Sequence, residues 1–188
     1  LTGFAGLAVP AGADVNALAD EFFKNPDATA AKYRAPSYRT EAERTADGVR
    51  LPATAFEGGR FLRDYAWFCE KRTAMAAYAA KGPFPTSMKA EFVLPAAPAG
   101  PATLRIEGQD SDKDLPPPAA IAIALNGRTI AEGPCGFVKR GWSWKEYPVE
   151  KGILRKGKNV LEIRNTSPSA RLDVYWFMLS EAVLSLKP

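Results

Sequence analysis

Two tryptophans separated by a single residue, Trp142 and Trp144, are the strongest candidates for ligand binding in this sequence. Side chains two positions apart on a strand leave the same face, so both indoles would lie side by side, with Lys139 and Arg140 just before them. Aromatic rings pack on the apolar faces of pyranose rings, and cationic donors can hold hydroxyl or carboxylate groups. This pattern predicts a carbohydrate site. The alternative, favoured by the high average burial of tryptophan, is that one or both rings fill the core.

Three aspartates, Asp110, Asp112 and Asp114, alternate with other residues as in the first half of a calcium-binding loop. The pattern then fails, because Leu115 occupies the expected glycine position and Ile121 the expected glutamate position. A solvated acidic loop is therefore the favoured interpretation. Structural calcium is the one cofactor that the sequence leaves open, and polar contacts from Asp110 and Asp112 to a sugar are a third interpretation.

The sequence contains no histidine. This removes the commonest general base, the Ser-His and Cys-His pairs, and the commonest metal ligand. A glycosidase would need only two carboxylates, such as Glu57 or Asp64 with an acid from the 110–114 loop, at about 5 to 9.5 Å. Nothing in the sequence places two carboxylates together, so the sequence favours a protein that is not an enzyme.

The charges indicate which partners to expect. The chain has 25 basic and 21 acidic residues, a net charge of +4, spread without an arginine-rich tail or an RNA-binding motif. We expect no nucleic-acid partner, while a mildly positive field would suit an anionic one such as a uronate-containing or sulfated glycan. The apolar stretch 174–179 is far shorter than the roughly 20 residues that cross a bilayer as a helix, so no membrane span is predicted.

Two cysteines, Cys69 and Cys135, lie far apart and have neither CxxC nor another zinc-like spacing. They form either one disulfide or two buried thiols. A chain of 188 residues can bury a core that needs no bridge, which favours the thiols.

After Pro36 the sequence consists of short segments in which apolar and polar residues alternate, separated by turn-forming residues. Asn126-Gly127 supplies the positive φ angles of a two-residue hairpin. Without helical segments between the strands, the pattern predicts an antiparallel β-sandwich. Segment 172–179 is apolar on both faces and should be a central strand. The predicted strands are 38–45, 49–56, 64–70, 87–94, 102–108, 121–125, 128–132, 159–165, 172–179 and 182–186, while 73–80 is ambiguous between helix and loop.

The first 36 residues have a different pattern. Apolar residues recur at helix spacing over 15–22, and Pro26 closes the segment, which predicts a helical arm over 1–36 before a sandwich domain over 37–188. Residues 1–13 are small and apolar and resemble the end of a secretory signal, or else are an ordered N-terminal segment. We expect a secreted or periplasmic protein.

Several motifs follow one another between residues 38 and 186. They are A-E-F-V-L-P at 90–95, A-T-L-R-I-E-G at 102–108, I-A-I-A-L-N-G at 121–127 and I-L-R-K-G-K-N-V-L-E-I at 153–163, preceded at looser spacing by V-R-L-P-A-T at 49–54 and D-Y-A-W-F at 64–68. Their order resembles the galactose-binding-like jelly-roll domain of β-galactosidase-type glycoside hydrolases and carbohydrate-binding accessory modules. The sequence departs from that family at 109–118, which is longer and more acidic, and at 71–87, which looks like an insertion.

The resemblance implies a jelly-roll module that binds sugars in some relatives and only packs against a catalytic domain in others. The sequence therefore predicts a non-catalytic carbohydrate-binding module associated with polysaccharide degradation. The alternative is a structural domain that docks onto a glycoside hydrolase catalytic domain through an apolar patch. Solvent-accessible Trp142 and Trp144 would favour the first role, and buried ones the second.

Overall fold

The computed structural model describes residues 40–62, 72–79, 85–111, 117–168 and 175–186. All of them belong to one compact unit that spans residues 39–188. Strands account for nearly all regular structure in these ranges, and the only helical element in them is a single 3₁₀ turn, Ala53–Ala55. This part of the chain is therefore all-β, as the alternating pattern predicts.

Twelve strands lie in the described ranges. In chain order they are β1 (Glu43–Thr45), β2 (Gly48–Pro52), β3 (Phe56–Glu57), β4 (Arg60–Leu62), β5 (Ala74–Tyr78), β6 (Ser87–Leu94), β7 (Ala102–Asp110), β8 (Ala120–Leu125), β9 (Arg128–Pro134), β10 (Ser143–Val149), β11 (Gly157–Asn165) and β12 (Trp176–Leu186). Every pairing between these strands is antiparallel.

The strands form two sheets. In the first sheet β12 pairs with β2, β7 and β5, and β1, β10 and β4 extend these neighbours outward. The second sheet has the order β3-β6-β11-β8-β9. Four strands lie side by side in each sheet, in the order β2-β12-β7-β10 in the first and β6-β11-β8-β9 in the second. The chain crosses repeatedly from one of these sets of four to the other. This is the double Greek key of a jelly roll, so the predicted antiparallel jelly-roll sandwich is confirmed.

The core lies between the sheets, because alternate side chains of each strand point inward. The large side chains that are fully buried come from both sheets; they include Leu51, Leu104, Ile106 and Phe177 from the first and Met88, Leu94, Ile121, Ile123, Leu125, Leu161 and Ile163 from the second. Burial of each such side chain contributes roughly 1.5–3 kcal/mol. This burial determines which residues of the same strands are left on the outer faces.

The C-terminal segment is one strand, where the sequence predicted two. Strand β12 continues from Trp176 to Leu186 through a bulge between Leu179 and Glu181. A bulge bends a strand without ending it, but it shifts the apolar alternation by one residue and so resembles a break. The predicted central position is confirmed, since β12 pairs with three strands and its residues from Trp176 to Leu179 are all buried.

Two further strand predictions are corrected. The segment 49–56 is divided, because β2 ends at Pro52, the 3₁₀ turn follows, and Phe56 begins β3 in the other sheet. Residues 73–80, which were ambiguous between helix and loop, contain β5, Ala74–Tyr78. Every residue of β5 is buried, so this strand lacks the period-two alternation by which half-exposed strands are recognised.

Two asparagines join the loops at one end of the sandwich. Asn126 and Gly127 form the predicted two-residue hairpin between β8 and β9, with φ angles of 52° and 80°. The buried Asn159 accepts hydrogen bonds at Oδ1 from Asn126 Nδ2, at 2.8 Å, and from the Arg155 amide, at 3.0 Å. Asn126 Oδ1 accepts in turn from the Val160 amide at 3.0 Å. This asparagine pair gives a structural reason for the asparagine in the 153–163 motif.

Cys135 is a buried free thiol, as the size of the core favoured. Cys69, the predicted helical arm over 1–36 and the predicted strand over 64–70 lie outside the described residues, and the boundary between arm and sandwich stays a prediction. No helix in the described part of the chain is long and apolar enough to cross a membrane.

Candidate functional site

The pairing of β10 with β7 positions the two tryptophans. Trp142 comes just before β10, and Trp144 lies in it opposite Glu107 of β7, while Glu146 lies opposite Arg105. These residues alternate with the core residues of β7, so their side chains lie on the solvent side of the first sheet. We call the outward residues of β2, β12, β7 and β10 the outer face.

Trp144 is the exposed member of the pair. Its side chain is 36% exposed, and the Arg105 guanidinium carbon lies 4.8 Å from the ring centroid. Cations within about 6 Å of an aromatic centroid are attracted to the ring. Arg105 Nε also lies 3.1 Å from Glu146 Oε1, as an ion pair whose angle is too poor for a hydrogen bond. An indole ring is thus held at the surface with a donor and an acceptor group beside it.

Trp142 is half-buried and also has an arginine beside its ring. The Arg72 guanidinium carbon lies 5.3 Å from its ring centroid, and Arg72 Nη1 is 2.6 Å from Glu107 Oε2. Ser180 Oγ donates to the same carboxylate oxygen. The Trp142 Nε1 atom is buried and has no hydrogen-bond partner among the described residues. The two tryptophans therefore differ, since Trp144 is exposed whereas Trp142 is half-buried with its indole nitrogen covered.

A polar cleft of about 380 Å³ lies on the same face. It is lined by Arg72, Glu107, Arg50 and Glu181, among others. Arg50 hydrogen bonds to Glu181, and its Nη1 lies 2.9 Å from Glu43 Oε2. The hydrogen bonds to Glu181 and then to Glu43 raise the pKa of Arg50, so this guanidinium is a permanent cation with two carboxylate partners.

Lys139 and Arg140 lie in the loop between β9 and β10, immediately before Trp142. The loop is fixed to the end of β7, because the Asp110 amide donates to the Val138 carbonyl at 2.9 Å, and Asp110 and Lys139 form an isolated bridge. Lys139 is half-buried, and Arg140 is exposed with a φ of 55°. The structure thus places both predicted cations at the same end of the sandwich as Trp142.

Asp110 lies beneath this loop, with only 1% of its area exposed. Its Oδ1 accepts hydrogen bonds from the amides of Ser111 at 2.8 Å and Ala119 at 3.3 Å, which closes the loop between β7 and β8. Burial of the Cys135 thiol, followed by the negative charge of Asp110, raises the pKa of Cys135 to about 12. The Asp110 carboxylate therefore faces the interior, and Asp112, the other predicted acidic sugar ligand, lies outside the described residues.

Structural calcium at the aspartate loop stays a prediction. One oxygen of Asp110 is used by backbone amides, while Asp112 and Asp114 lie outside the described residues. The described ranges contain no group of three His, Cys, Asp or Glu side chains arranged to hold a metal ion.

Two of the carboxylates considered for glycosidase chemistry lie in the described residues, and they belong to different sheets. Glu57 is an exposed residue of β3 in the second sheet, whereas Asp110 ends β7 in the first. Asp64, the other candidate, lies outside the described residues. Of the described candidates, Glu57 and Asp110 therefore share neither a strand nor a sheet.

Four residues of the site were not among the candidates from the sequence. Arg105 and Glu107 are recognisable as outward residues of a strand, but their proximity to Trp144 depends on the β7–β10 register. Glu146 depends on that register in the same way. Arg72 lies in the stretch that resembled an insertion, and no local pattern points from it to Trp142.

No protein-family model matches this chain, and no curated protein matches it either. Solved structures do match. An exo-β-1,3-galactanase from Phanerochaete chrysosporium is 13% identical over 75% of this chain and 30% of its own, with a TM-score of 0.48. An insecticidal delta-endotoxin from Bacillus thuringiensis is 10% identical over 74% of this chain and 24% of its own, with a TM-score of 0.50. A family 35 carbohydrate-binding module from Clostridium thermocellum is 14% identical over 72% of this chain and 97% of its own, with a TM-score of 0.49.

This chain spans less than a third of the galactanase and of the delta-endotoxin. At such low identities the likeness concerns the fold. The function therefore has to be argued from the site.

Proposed function

We propose that this chain is a non-catalytic carbohydrate-binding module, and that it binds a glycan on the outer face of its first sheet at Trp144. The observation that supports this most strongly is the exposed Trp144 ring, which has Arg105 4.8 Å from its centroid and the ion pairs of Glu146 and Glu107 beside it.

The chemistry of these groups suits a pyranose ring. A sugar has apolar faces that pack on an aromatic ring, and a rim of hydroxyl groups that both donate and accept hydrogen bonds. A guanidinium has five N–H donors, of which an ion pair with one carboxylate uses only one or two. Arg105 can therefore donate to sugar hydroxyls while Glu146 accepts from them. Lys139 and Arg140 would extend the polar rim past Trp142.

The biological setting is also part of the proposal. The motif resemblance to the sugar-binding domain of β-galactosidase-type hydrolases supports a role in polysaccharide degradation, as a part or partner of a glycoside hydrolase. Polymeric glycans are mainly extracellular, so a module of this kind would act as a secreted or periplasmic protein.

A second candidate role is docking onto a glycoside hydrolase catalytic domain, and a different surface supports it. Val93 of β6 is 64% exposed, the highest value among the exposed large hydrophobic side chains of the described residues. It borders a groove of about 790 Å³ whose lining combines apolar residues such as Pro95 with charged ones such as Glu91 and Lys158. Apolar surface of this kind is a common site of protein contact.

Glycan binding is tested by affinity gel electrophoresis of wild type beside Trp144→Ala, across a panel of soluble polysaccharides. Loss of the stacking surface should weaken binding by about tenfold or more. The thermal unfolding midpoint should stay within about 2 °C, because the ring is at the surface.

Val93→Ala is the matched control, since it removes an exposed apolar side chain from the other sheet. It should leave glycan binding unchanged. If folded wild type binds no glycan, or if Val93→Ala weakens binding as much as Trp144→Ala, the proposed site is wrong.

A further inference from the structure

The arginines on and beside the outer face each have a carboxylate partner. The pairs are Arg50 with Glu43 and Glu181, Arg72 with Glu107, and Arg105 with Glu146. Three of these four carboxylates belong to strands of the outer face, and Glu43 comes from β1 at its edge.

Among the described residues, the ion-paired side chains of this surface are therefore not cationic overall. Three arginines face four glutamates, so the described ion-pair groups carry one more negative than positive charge. The Glu107 and Glu181 side chains are only 12% and 19% exposed, so water screens their charges less than those of fully exposed groups.

We infer that the site selects uncharged glycans and discriminates against uronate-containing and sulfated ones; this inference rests on the proposed function. An anionic sugar that approaches Arg105 meets Glu146 at a comparable distance, so repulsion offsets the attraction, and the additional carboxylate among these ion-paired groups makes the balance repulsive. A neutral sugar hydroxyl donates to the carboxylates and accepts from the guanidinium groups without that opposition. The paired charges thus serve as hydrogen-bonding groups for neutral polar ligands.

The inference differs from what the net charge of +4 suggests for the whole chain. Charges more than about 8 Å apart at the protein surface are largely screened at physiological ionic strength, so local pairs determine what a bound sugar experiences. Lys139 and Arg140 border the face at one end, where each makes interactions of its own.

The test compares each neutral glycan with a charged form of itself. Oligosaccharides of β-1,4-galactan, β-1,4-mannan and β-1,4-glucan, and the same oligosaccharides oxidised to carboxylates at C6, are titrated by calorimetry into the full chain at 50 and 500 mM NaCl. For the backbone that binds, the neutral form should bind about fivefold more tightly than its carboxylate form, which is the scale of one exposed ion pair. The affinity for the neutral form should change by less than about twofold with salt.

A matched pair of variants tests whether the ion pairs of the outer face cause the preference for the neutral glycan. Glu146→Gln keeps an acceptor but leaves Arg105 without its carboxylate, so the preference for the neutral form should fall by about threefold or more. Glu150→Gln removes the partner of Arg128, a more exposed ion pair at 2.7 Å that joins the residue after β10 to the start of β9, and should leave the preference unchanged.

The outcomes separate the inference from the proposed function. Tighter, salt-sensitive binding of a carboxylate form would overturn the inference and leave glycan binding intact. Equal binding of both forms, unchanged by Glu146→Gln, would also overturn it. Absence of binding to every glycan by the folded chain would overturn the proposed function and the inference together.

Discussion

At the end of the sandwich where β8 turns into β9, the fully buried amide of Asn159 uses all of its hydrogen-bonding capacity. Its Oδ1 accepts from Asn126 and Arg155, and its Nδ2 donates to the carbonyls of Arg155 and Gly157 at 2.8 and 2.9 Å. At the opposite end, Gln109 of β7 is equally buried, but neither Oε1 nor Nε2 has a partner among the described residues.

Other polar groups near Gln109 share its condition. Asp110 Oδ2 and Trp142 Nε1 are buried, and the described part of the chain gives neither a hydrogen-bond partner. A buried polar group left without a partner costs about 1–3 kcal/mol, so stability alone does not explain such a cluster. Buried polar groups without hydrogen-bond partners are found mainly at functional sites, where a protein binds a ligand or another protein. The hydrogen bonds at the end with Asn159 therefore maintain the fold, whereas the unpaired groups at the end with Gln109 and Trp142 indicate a functional site.

The largest effect is expected at the asparagine pair. Asn159→Ala would leave backbone groups of Arg155 and Gly157, and the amide of Asn126, without buried partners. We expect the free energy of unfolding to fall by about 3 kcal/mol, measured by urea denaturation.

Thr129→Ala, an exposed change in the adjoining hairpin, is the control and should cost less than about 0.5 kcal/mol. A loss below about 1 kcal/mol in Asn159→Ala would mean that water replaces these bonds. The two ends of the sandwich would then not differ in how far their buried polar groups stabilise the fold.

A smaller effect of opposite sign is expected at Gln109. Gln109→Leu keeps a similar volume and removes two polar atoms that have no described partner. We expect the free energy of unfolding to rise by about 1 kcal/mol in the same urea titration. Gln109→Glu, which would bury a charge at the same place, should lower it instead. Destabilisation by the leucine would show that the amide is bonded in the folded protein.

Much of the fold could be predicted because its strands are half-buried. Strand β6 has the predicted limits, Ser87 and Leu94, since apolar and polar residues alternate along its whole length. The hairpin at Asn126-Gly127 is equally local, because two positive φ angles favour these residue types. Where burial is complete, as in β5, the alternation is lost and local sequence no longer separates strand from helix.

The site could be predicted only in part, because its contacts connect distant segments. Trp142 and Trp144 were recognisable from their spacing, but the Arg72 and Arg105 contacts follow from strand register and tertiary packing.

A local motif can also mislead. Asn165 begins an Asn-Thr-Ser glycosylation pattern, yet it is 4% exposed and its Nδ2 donates to the Ala77 carbonyl at 3.2 Å. Here packing overrides the motif.

The smallest effect concerns Cys135, which lies beside Asp110 at the end with unpaired groups. Burial of the thiol raises its pKa from 9.0 to about 12, with Asp110 as a second cause. Between these values the unfolded chain loses the thiol proton and the folded chain keeps it, so stability is full below pH 9.0 and falls as the pH rises. Between pH 7.5 and 9.5 the expected loss is about 0.8 kcal/mol.

Urea titrations of wild type and Cys135→Ala at both pH values would measure this loss as the difference between their two pH dependences. Contributions from other groups, such as Tyr147 with its own raised pKa, largely cancel in that difference. Identical pH dependences in the two proteins would mean that the thiolate is tolerated in the folded state. The interior around Asp110 would then be open to water, and its unpaired groups would be solvated and carry no cost.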